Sequence, residues 1–406
     1  MPTSRFAPEF RLALACARWP LRDRDREEIQ RIAAEPVDWN FCAKIIERNQ
    51  ILPLAYRNLN DSLPKGSQPK ILDKLRTNVF GFTSHNLSQA AELVRITEKV
   101  RHRGIELVAL KGVTLSRVAY GNVAMRSPGD IDLLVTPTDV FEAERALLDL
   151  GYIRCEPRAE LTPRRLKHYL KYYKHFAYYH KAKALPLELH WRLYHNTPLT
   201  RFYNRSSDPM QVELGPGTVS SLSRDELFLY LCVHGALHGW PILKWLADIG
   251  ALLSAMDAET LGRIVTLASK QGLMAELQSA LTLVDELLAV ERPAIELPAK
   301  PNPTVDRIVA MAHRLLTDED YCLAIDRLPR MGMFFYDLGL RSSWRYRSHD
   351  LMRAFVFPED WELIDLPDAL FPLYAAVRPV SWLFRSMVRL SRQRSAKTPA
   401  PIPPAL

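Results

Sequence analysis

The chain has 406 residues, enough for two or three packed units, and its 48% hydrophobic content is ordinary for globular protein. Its formal net charge of +8 favours anionic partners such as nucleotide phosphates, nucleic acid or an acidic membrane surface. The five cysteines are scattered without the spacing of a disulfide framework or a zinc site, and no apolar run approaches the roughly 18 to 20 residues of a membrane-spanning helix. We therefore expect a cytoplasmic protein, soluble or peripheral to a membrane.

Residues 1–100 predict a helical N-terminal region. Apolar residues recur with a spacing near 3.6 in four segments, which are 11–18, 25–34, 39–48 and 71–100. Residues 60–70, rich in Ser, Pro, Gly and Asn, predict a loop before the last of these helices.

The pattern changes at Ile105 to alternating strands and helices. IELVAL predicts a short strand that ends at Lys111-Gly112, VTLSRVAYG a short helix, and GDIDLLV a second strand. An amphipathic helix is expected over 138–150, followed by a hairpin in which HFAYYHK and LPLELHWRL flank 182–184. Residues 101–205 are therefore predicted to form one α+β unit.

The remainder is predicted to be mainly helical. After the Gly-Pro-Gly turn at 215–217, region 206–292 contains three helical patterns, RDELFLYLCVHGALHGW, PILKWLADIGALLSAM and AETLGRIVTLASKQ. Region 293–406 begins with a proline-rich linker over 293–303, continues with C-terminal helices and ends in a basic, proline-rich tail that predicts disorder.

Two aspartates in GDIDLLV are the strongest chemical signal. Strand alternation places Asp130 and Asp132 on one face and the apolar residues of the strand on the other. Unpaired carboxylates beside a buried strand are costly unless a cation compensates them, and hard oxygen ligands suit Mg²⁺ or Mn²⁺. An isolated Asp-x-Asp pair is also common at solvated strand edges, so the surrounding sequence is needed to distinguish a metal site from such an edge.

Glu188 is the candidate for a third carboxylate. In LPLELHWRL it alternates with leucines and lies in mid-strand. If this strand extends the sheet beside the aspartates, the three carboxylates could bind two metal ions roughly 3.5 to 4 Å apart. Glu188 could instead act as a general base.

These segments together resemble the nucleotidyltransferase superfamily typified by DNA polymerase β. The resemblance is closest to bacterial nucleotidyltransferase-like proteins that are often encoded beside peptide or polysaccharide biosynthesis genes. It rests on LVALKGVTLSRVAYGNVAMRSPGDIDLLV, LELHW and HGALHGWPILKWLADIGALL, and spans roughly residues 40–255.

The resemblance implies an α+β fold in which a mixed sheet is flanked by N-terminal and C-terminal helical regions, the latter closing the cleft. It also implies a metal site at Asp130, Asp132 and Glu188, and transfer of a nucleotidyl group from NTP to an acceptor. Many members have Gly-Ser in the first turn to receive the triphosphate, whereas this chain has Lys111-Gly112-Val113-Thr114. We expect Lys111, Gly112 and Thr114 to contact the nucleotide, because a glycine turn before a helix favours phosphate.

Five further positions have a functional and a structural interpretation. Arg126 could bind phosphate or pair with Asp130 or Asp132. Lys244 and Asp248 could bind the base or acceptor, or form an i,i+4 salt bridge. His234 and His238 have the spacing of two zinc ligands, but without a third ligand we favour a packed pair.

The acceptor is left open among small molecules, peptides, saccharides and RNA. Two rival functions also remain, a catalytically idle scaffold that binds a nucleotide or partner, and a tRNA-directed transferase or toxin. The segment LYAAVRPVSWLFRSMVRLSRQRSAK combines basic and apolar residues without an acidic one, which predicts either peripheral membrane contact or a solvated terminal helix.

Overall fold

The computed structural model describes residues 6–65, 70–196, 208–295, 302–317, 330–383 and 385. Its strands are β1 (Val108–Ala109), β2 (Ile131–Leu134), β3 (Ile153–Glu156), β4 (His175–His180), β5 (Leu185–His190), β6 (Met210–Leu214) and β7 (Gly217–Ser221). They form one mixed sheet in the order β3-β4-β5-β2-β1-β7-β6. Strands β2 and β5 are parallel, as are β1 and β7, and the other neighbours are antiparallel.

Helices precede, interrupt and follow the strands. The first group is α1 (Pro8–Cys16), α2 (Asp23–Ala33), α3 (Trp39–Arg48), α4 (Leu52–Ser62), α5 (Ile71–Arg101), α6 (Val113–Tyr120), α7 (Val140–Asp149) and α8 (Pro163–Tyr172). The second group is α9 (Arg224–Leu237), α10 (Leu243–Ser254), α11 (Ala258–Gln271), α12 (Met274–Leu288), α13 (Pro303–Thr317), α14 (Arg330–Gly339), α15 (Trp344–Phe355), α16 (Pro358–Leu363) and α17 (374–383). Short 3-10 helices occupy Lys181–Lys183 and Asp368–Leu373. The α+β class with a mixed sheet flanked by helical regions, expected from the sequence, is confirmed.

Two apolar cores lie on opposite faces of the sheet. The first, which we call the helical core, joins helices α1–α4 to α9–α12 and includes Leu134 of β2. The second, the sheet core, joins α5, α7 and α8 to the other face and includes Leu133 of β2. Adjacent strand residues thus enter different cores, as the period-2 alternation of a strand requires. Asp132 shares its face with Leu134 and so lies on the side of the helical core.

Most of the predicted elements are present. The hairpin of β4 and β5 has the expected antiparallel pairing, with His175 opposite His190 and Ala177 opposite Glu188. Helix α4 was not predicted and replaces the beginning of the expected loop at 60–70. Strand β3 and helix α8 were also not predicted.

The Gly-Pro-Gly sequence at 215–217 is a hairpin turn within the sheet. It joins β6 and β7, two strands that the sequence analysis did not predict, and Gly215 has φ +62°. The sheet therefore extends beyond residue 205, where the α+β unit was expected to end. The division of the chain into the regions 1–100, 101–205, 206–292 and 293–406 remains a prediction.

The C-terminal helices pack over α8, α9 and α12. Tyr336 of α14 donates from its hydroxyl to the Ala236 carbonyl at 2.5 Å, and Arg341 pairs with buried Glu276. Arg165 of α8 donates to the hydroxyl of Tyr374 at 2.7 Å. The chain after α13 thus contributes to both cores, with Tyr336 in the helical core and Tyr374 in the sheet core.

Only part of the expected linker and tail can be compared with the structure. The expected disordered tail lies outside the described residues, as does most of the basic segment after 383. Within the described part of the chain, no helix has both the length and the apolarity needed to cross a membrane.

Candidate active site

The turn between β1 and α6 approaches the aspartate strand closely. Gly112 has φ +74°, a left-handed conformation that strongly favours glycine, and a Cβ there would lie 3.5 Å from the Asp130 carbonyl oxygen. Asn86 of α5 donates to the carbonyls of Val123 and Arg126 at 2.9 and 2.8 Å. Helix α5 therefore positions the chain that leads into Asp130.

The three predicted carboxylates converge on one face of the sheet. Asp132 and Glu188 are Cα partners on the parallel strands β2 and β5, so both side chains project to the same side. Asp130 precedes β2, and one oxygen from each of the three carboxylates lies within 4.8 Å of the others. This grouping agrees with the expectation from strand alternation.

Asp132 is the most buried member of the group. Its side chain is 1% exposed. Lys111 Nζ lies 2.8 Å from Oδ2 and compensates its charge, and His190 Nε2 lies 3.4 Å from Oδ1. A buried carboxylate grouped with two other carboxylates fits the hard oxygen donor set of a divalent cation.

Lys111 occupies the space between both aspartates. Its Nζ lies 3.5 Å from Asp130 Oδ1 as well as 2.8 Å from Asp132 Oδ2. Burial lowers the pKa of Lys111, but the charges of Asp132 and Asp130 outweigh burial and the pKa is raised. Lys111 is therefore charged, and it compensates part of the negative charge of the two aspartates.

The three carboxyl groups differ in the direction in which their surroundings shift their pKa values. Burial and the neighbouring charge of Asp132 raise the pKa of Asp130. For Asp132, burial is outweighed by the charge of Lys111 and the interaction with His190, so its pKa is lowered. For Glu188, burial is outweighed by the hydrogen bond to His190 and by His175, and its pKa is also lowered. Asp132 and Glu188 are consequently ionised at neutral pH.

Two histidines that the sequence analysis did not assign to the site complete it. His190 Nε2 lies 3.0 Å from Glu188 Oε2, and His175 Nδ1 lies 3.5 Å from the same oxygen. These three residues form a second group whose ligand atoms lie within 4.8 Å of one another. Burial lowers the pKa of His175 to about 3, so His175 is neutral. The signal was present in the sequence, because alternation puts His190 on the face of Glu188 and hairpin pairing puts His175 opposite His190.

Arg126 pairs with Asp248, and not with Asp130 or Asp132 as considered in the sequence analysis. Its Nε lies 2.9 and 3.2 Å from the two Asp248 carboxylate oxygens, and the Tyr120 hydroxyl donates to Oδ1 at 3.0 Å. Both charged side chains are at most 5% exposed. The pair thus connects helix α10 to the segment before β2.

Lys244 has a different partner from the one considered in the sequence analysis. Its Nζ donates to the Gln50 side chain, while Asp248 is held by Arg126 and Tyr120. Burial and then the charge of Arg126 lower the pKa of Lys244 to about 7. Lys244 and Asp248 are 7% and 0% exposed, so both side chains are buried.

Thr114 contributes to the shape of the turn. Its hydroxyl donates a hydrogen bond to the Lys111 carbonyl at 2.9 Å, and the residue is fully buried. Of the turn residues expected to contact nucleotide, Lys111 and Gly112 therefore lie beside the carboxylates, whereas Thr114 faces inward.

His234 and His238 form a packed pair, as favoured from the sequence. Their ring centroids are 4.8 Å apart, and both rings contact Trp245 at 4.7 and 5.5 Å. Burial lowers the pKa of His238 to about 4 and also lowers the pKa of His234 well below its ordinary value, so both are neutral. Neither belongs to the metal-competent groups found among the described residues.

Comparison with known proteins identifies the family. A search of curated proteins and a search of solved structures each gave no significant match. A family model described as "Uncharacterised nucleotidyltransferase" matches residues 35–289, which is more than half of the chain. The matched segment contains the turn at Lys111-Gly112, all three carboxylates and the Arg126–Asp248 pair. The chain therefore belongs to this family of nucleotidyltransferases, whose general activity is nucleotidyl transfer.

Proposed function

We propose that the protein is a metal-dependent enzyme that transfers a nucleotidyl group from an NTP to an acceptor and releases pyrophosphate. The observation that carries this proposal is the convergence of Asp130, Asp132 and Glu188 on one sheet face beside the Gly112 turn. Rigid neighbouring strands hold two of the three carboxylates, and such preorganised positions suit catalysis by electrostatic stabilisation.

Asp130, Asp132 and Glu188 would hold Mg²⁺ or Mn²⁺. The fit rests on the hard oxygen donors that the three carboxylates offer, on the burial of Asp132 and on the separation of less than 4.8 Å between one oxygen of each group. A divalent ion in such a site supplies positive charge to phosphate oxygens and increases the acidity of an attacking hydroxyl. The lowered pKa of Glu188 favours a metal ligand over a general base.

Lys111 and the turn after it would receive the triphosphate. The Lys111 ammonium lies at the carboxylates and is charged, so it would attract the phosphate oxygens of a nucleotide bound beside them. Gly112 allows the backbone to approach the nucleotide, and the first amide groups of α6 are free of intrahelical partners. The Arg126–Asp248 pair would act as support by fixing helix α10 against this turn. Lys244 lies nearby and remains a candidate for contact with base or acceptor.

One observation favours the rival function of an idle binding scaffold. Lys111 already compensates part of the negative charge of Asp130 and Asp132, so the two aspartates are held together without a metal ion. A scaffold would bind nucleotide through Lys111 and Gly112 without any dependence on divalent cation. Nothing in the structure singles out RNA as the acceptor.

The first experiment is calorimetric titration of each NTP, with Mg²⁺, with Mn²⁺ and with EDTA, into the wild type and into Asp130→Asn/Asp132→Asn. A matched control is Asp23→Asn/Asp73→Asn, which removes the same charge at two strongly exposed positions. We expect metal-dependent NTP binding in the wild type and the control, and its loss in the site variant, with circular dichroism showing that all three are folded. Equal binding in the site variant, or binding insensitive to EDTA, would contradict the assignment and support the scaffold.

The proposal also requires a compartment with NTP and Mg²⁺, which the cytoplasm provides. The described cysteines Cys16, Cys42, Cys155 and Cys232 are free thiols, in keeping with a reducing environment. Peripheral membrane contact through the basic C-terminal segment stays a prediction.

A further inference from the structure

Two histidines lie beside the carboxylates, and the proposed function gives them no ligand of their own. His175 lies on β4, whereas Glu188 and His190 lie on the neighbouring strand β5. One ligand atom from each of these three residues lies within 4.8 Å of the others. We call them the histidine group, and we call Asp130, Asp132 and Glu188 the carboxylate group.

The pairing of β4 with β5 brings the two histidines together. His175 is the Cα partner of His190, and directly opposite residues of an antiparallel pair project to the same face of the sheet. Glu188 is two residues before His190 and therefore also projects to that face. The ring centroids of the two histidines are 5.0 Å apart. All three residues lie on strands, so the group is held by the sheet and not by loops.

The separations between the ligand atoms resemble those around one metal ion. Glu188 Oε2 lies 3.0 Å from His190 Nε2 and 3.5 Å from His175 Nδ1. Ligand atoms that are each about 2.1 Å from a shared ion lie about 3.0 to 3.4 Å apart in octahedral or tetrahedral coordination. Asp132 Oδ1 lies 3.4 Å from His190 Nε2 and adds a further oxygen at this spacing. Three edges of a coordination polyhedron are thus present.

Hydrogen bonding accounts for only one of the two histidines. His190 donates from Nε2 to Glu188 Oε2 at 3.0 Å. Nδ1 of His175 lies 3.5 Å from the same oxygen, is buried and has no hydrogen-bond partner among the described residues. A buried polar atom is normally paired, and a cation bound by this nitrogen and by the carboxylate would supply its partner.

The charge around the histidine group also favours a cation. The three carboxylates are opposed by two ammonium groups, those of Lys111 and Lys174, so a negative charge remains. Lys111 contacts Asp130 Oδ1 and Asp132 Oδ2, whereas it is Oδ1 of Asp132 that lies near His190. An ion can therefore enter the histidine group while Lys111 stays on the aspartates.

The histidine group is open on one side. The side chains of Glu188 and His175 are 26% and 15% exposed, while that of His190 is fully buried. Solvent therefore reaches the group past the first two residues. An ion held by three side chains keeps a position open for water or for an oxygen of a substrate, as catalytic metal sites do.

We propose that His175, Glu188 and His190 form a second cation site, which takes a transition-metal ion such as Zn²⁺ in preference to Mg²⁺. Two imidazole nitrogens and a carboxylate oxygen suit Zn²⁺ and Co²⁺, whereas Mg²⁺ prefers oxygen ligands. The inference goes beyond the proposed function, because this site needs no nucleotide. Glu188 has two oxygens and belongs to both groups, so it can bridge the ions of the two sites.

The test uses the full chain, freed of metal by a chelator, and Co²⁺ alone as the probe. No nucleotide is present, and the visible absorption of Co²⁺ reports its coordination. We expect one Co²⁺ per chain, displaced by Zn²⁺ in the order of affinities for nitrogen ligands but not by an excess of Mg²⁺. Displacement by Mg²⁺ would show that the ion has oxygen ligands and would contradict the inference.

Variants locate the bound ion. His175→Gln removes one nitrogen of the histidine group and should weaken Co²⁺ binding at least about tenfold. Asp130→Asn changes only the carboxylate group and should weaken it far less. His102→Gln, at an exposed position after α5, is the matched control for adventitious binding at a surface histidine. Near-UV circular dichroism checks that each variant is folded. The reverse order of His175→Gln and Asp130→Asn would assign the ion to the carboxylate group and overturn the inference.

A second measurement needs no variant. Each ligating histidine keeps one ring N–H, so the proton NMR spectrum of the Co²⁺ form should contain two strongly shifted signals that disappear in D₂O. A Co²⁺ form without such signals would have no imidazole ligands, and the histidine site would be rejected.

Mg²⁺-dependent NTP binding is measured on the same wild-type preparation, which separates the two proposals. Normal NTP binding together with full Co²⁺ affinity in His175→Gln would overturn the histidine site alone. Co²⁺ bound through both histidines, without NTP binding under any condition, would contradict the proposed function and leave the histidine site in place.

Discussion

Lys111 keeps two aspartates together whose negative charges would otherwise repel each other. Its ammonium contacts both carboxylates, and its raised pKa shows that the attraction exceeds the cost of burial. Under the proposed function this lysine would have two tasks that exclude one another in time, because it cannot contact the carboxylates and a phosphate at once from the same position. We therefore expect the ammonium and a divalent cation to compete for the aspartates.

Replacement of Lys111 tests this competition. Lys111→Met leaves Asp130 and Asp132 without their cation, so the free energy of unfolding without metal should fall by about 3 kcal/mol. Added Mg²⁺ should raise the melting temperature of the variant more than that of the wild type, because ligand bound to the native state stabilises it. Thermal melts with and without Mg²⁺ provide the measurement, and Lys74→Met on the exposed face of α5 is the control. An identical Mg²⁺ response in wild type and variant would argue against competition.

The lowered pKa of Lys244 makes the free energy of unfolding rise with pH above pH 7. Its pKa is about 7 in the folded chain, below the ordinary lysine value, so between pH 7 and about 10.5 the unfolded chain binds the additional proton. Stability from this group therefore rises with pH across that window, and the cost of burying the charge is complete below pH 7.

Lys244→Met removes this cost and should stabilise the protein most at low pH. The gain over wild type should shrink by a few kcal/mol between pH 6.5 and pH 9.5, since one pKa unit corresponds to about 1.4 kcal/mol. Urea unfolding at the two pH values measures it, and Lys270→Met, at an exposed position of α11, controls for loss of a lysine. A pH-independent difference between Lys244→Met and wild type would mean that Lys244 titrates normally.

Helix α10 is fixed to the site by one buried ion pair. Arg126 precedes the aspartate strand and Asp248 lies in the middle of α10, so their contact sets the distance between helix and sheet. Each charge is compensated almost entirely by the other, with the Tyr120 hydroxyl as an additional donor. Removal of one partner leaves an unpaired charge in a dry environment.

A double-mutant cycle measures this coupling. Asp248→Leu and Arg126→Met should each lower the free energy of unfolding by about 3–5 kcal/mol. The double variant should recover much of that loss, because both buried charges are then absent. Denaturant unfolding of all four proteins gives the coupling energy. Additive losses would show that the two side chains act independently.

The elements that the sequence predicted well are those with a strong local period. Helix α3 begins and ends where its apolar spacing predicted, with Asp38 accepting from Asn40 and Phe41 at its N-terminus. Strand β2 and the β4–β5 hairpin also follow from alternation. Strands β6 and β7 were missed because they are short, half-polar and joined by a turn that equally marks a boundary, and only pairing with β1 makes them part of the sheet.

The carboxylate cluster was predictable, whereas the partners of the basic residues were not. Alternation within one strand identifies Asp130 and Asp132, and Glu188 follows from a second strand. The contacts of Arg126 with Asp248 and of Lys244 with Gln50 join residues more than 100 positions apart. Such contacts depend on tertiary packing, which no local pattern in a single sequence contains.

At the scale of the whole molecule, the segment that the family model matches, residues 35–289, contacts the helices that follow it. Glu276 of α12 is fully buried and its charge is met by Arg341, which lies after α14. Burial raises the pKa of Glu276 and Arg341 lowers it in part. Among the described residues, this ion pair and the Arg165–Asp365 pair join the matched segment to the chain after α14.

Arg341→Met should loosen the C-terminal part without unfolding the sheet. Amide hydrogen exchange should accelerate in α14 and α15, while β2, β4 and β5 keep their protection, because the local opening free energy falls where the contact is lost. Arg345→Met, at an exposed position of α15, is the control. Faster exchange in the sheet as well would show that the chain unfolds as one cooperative unit.

The parallel pairing of β2 with β5 has a consequence for how the site could vary. Asp132 is opposite Glu188, while Leu133 is opposite Leu189, so the ladder alternates between a ligand step and a core step. A shift of one residue in either strand would place leucines among the carboxylates and charges in the sheet core. Insertions near the site are consequently tolerated only in connections that leave this alignment intact, and divergence among relatives should accumulate in the helices and loops while the two strands change length together or not at all.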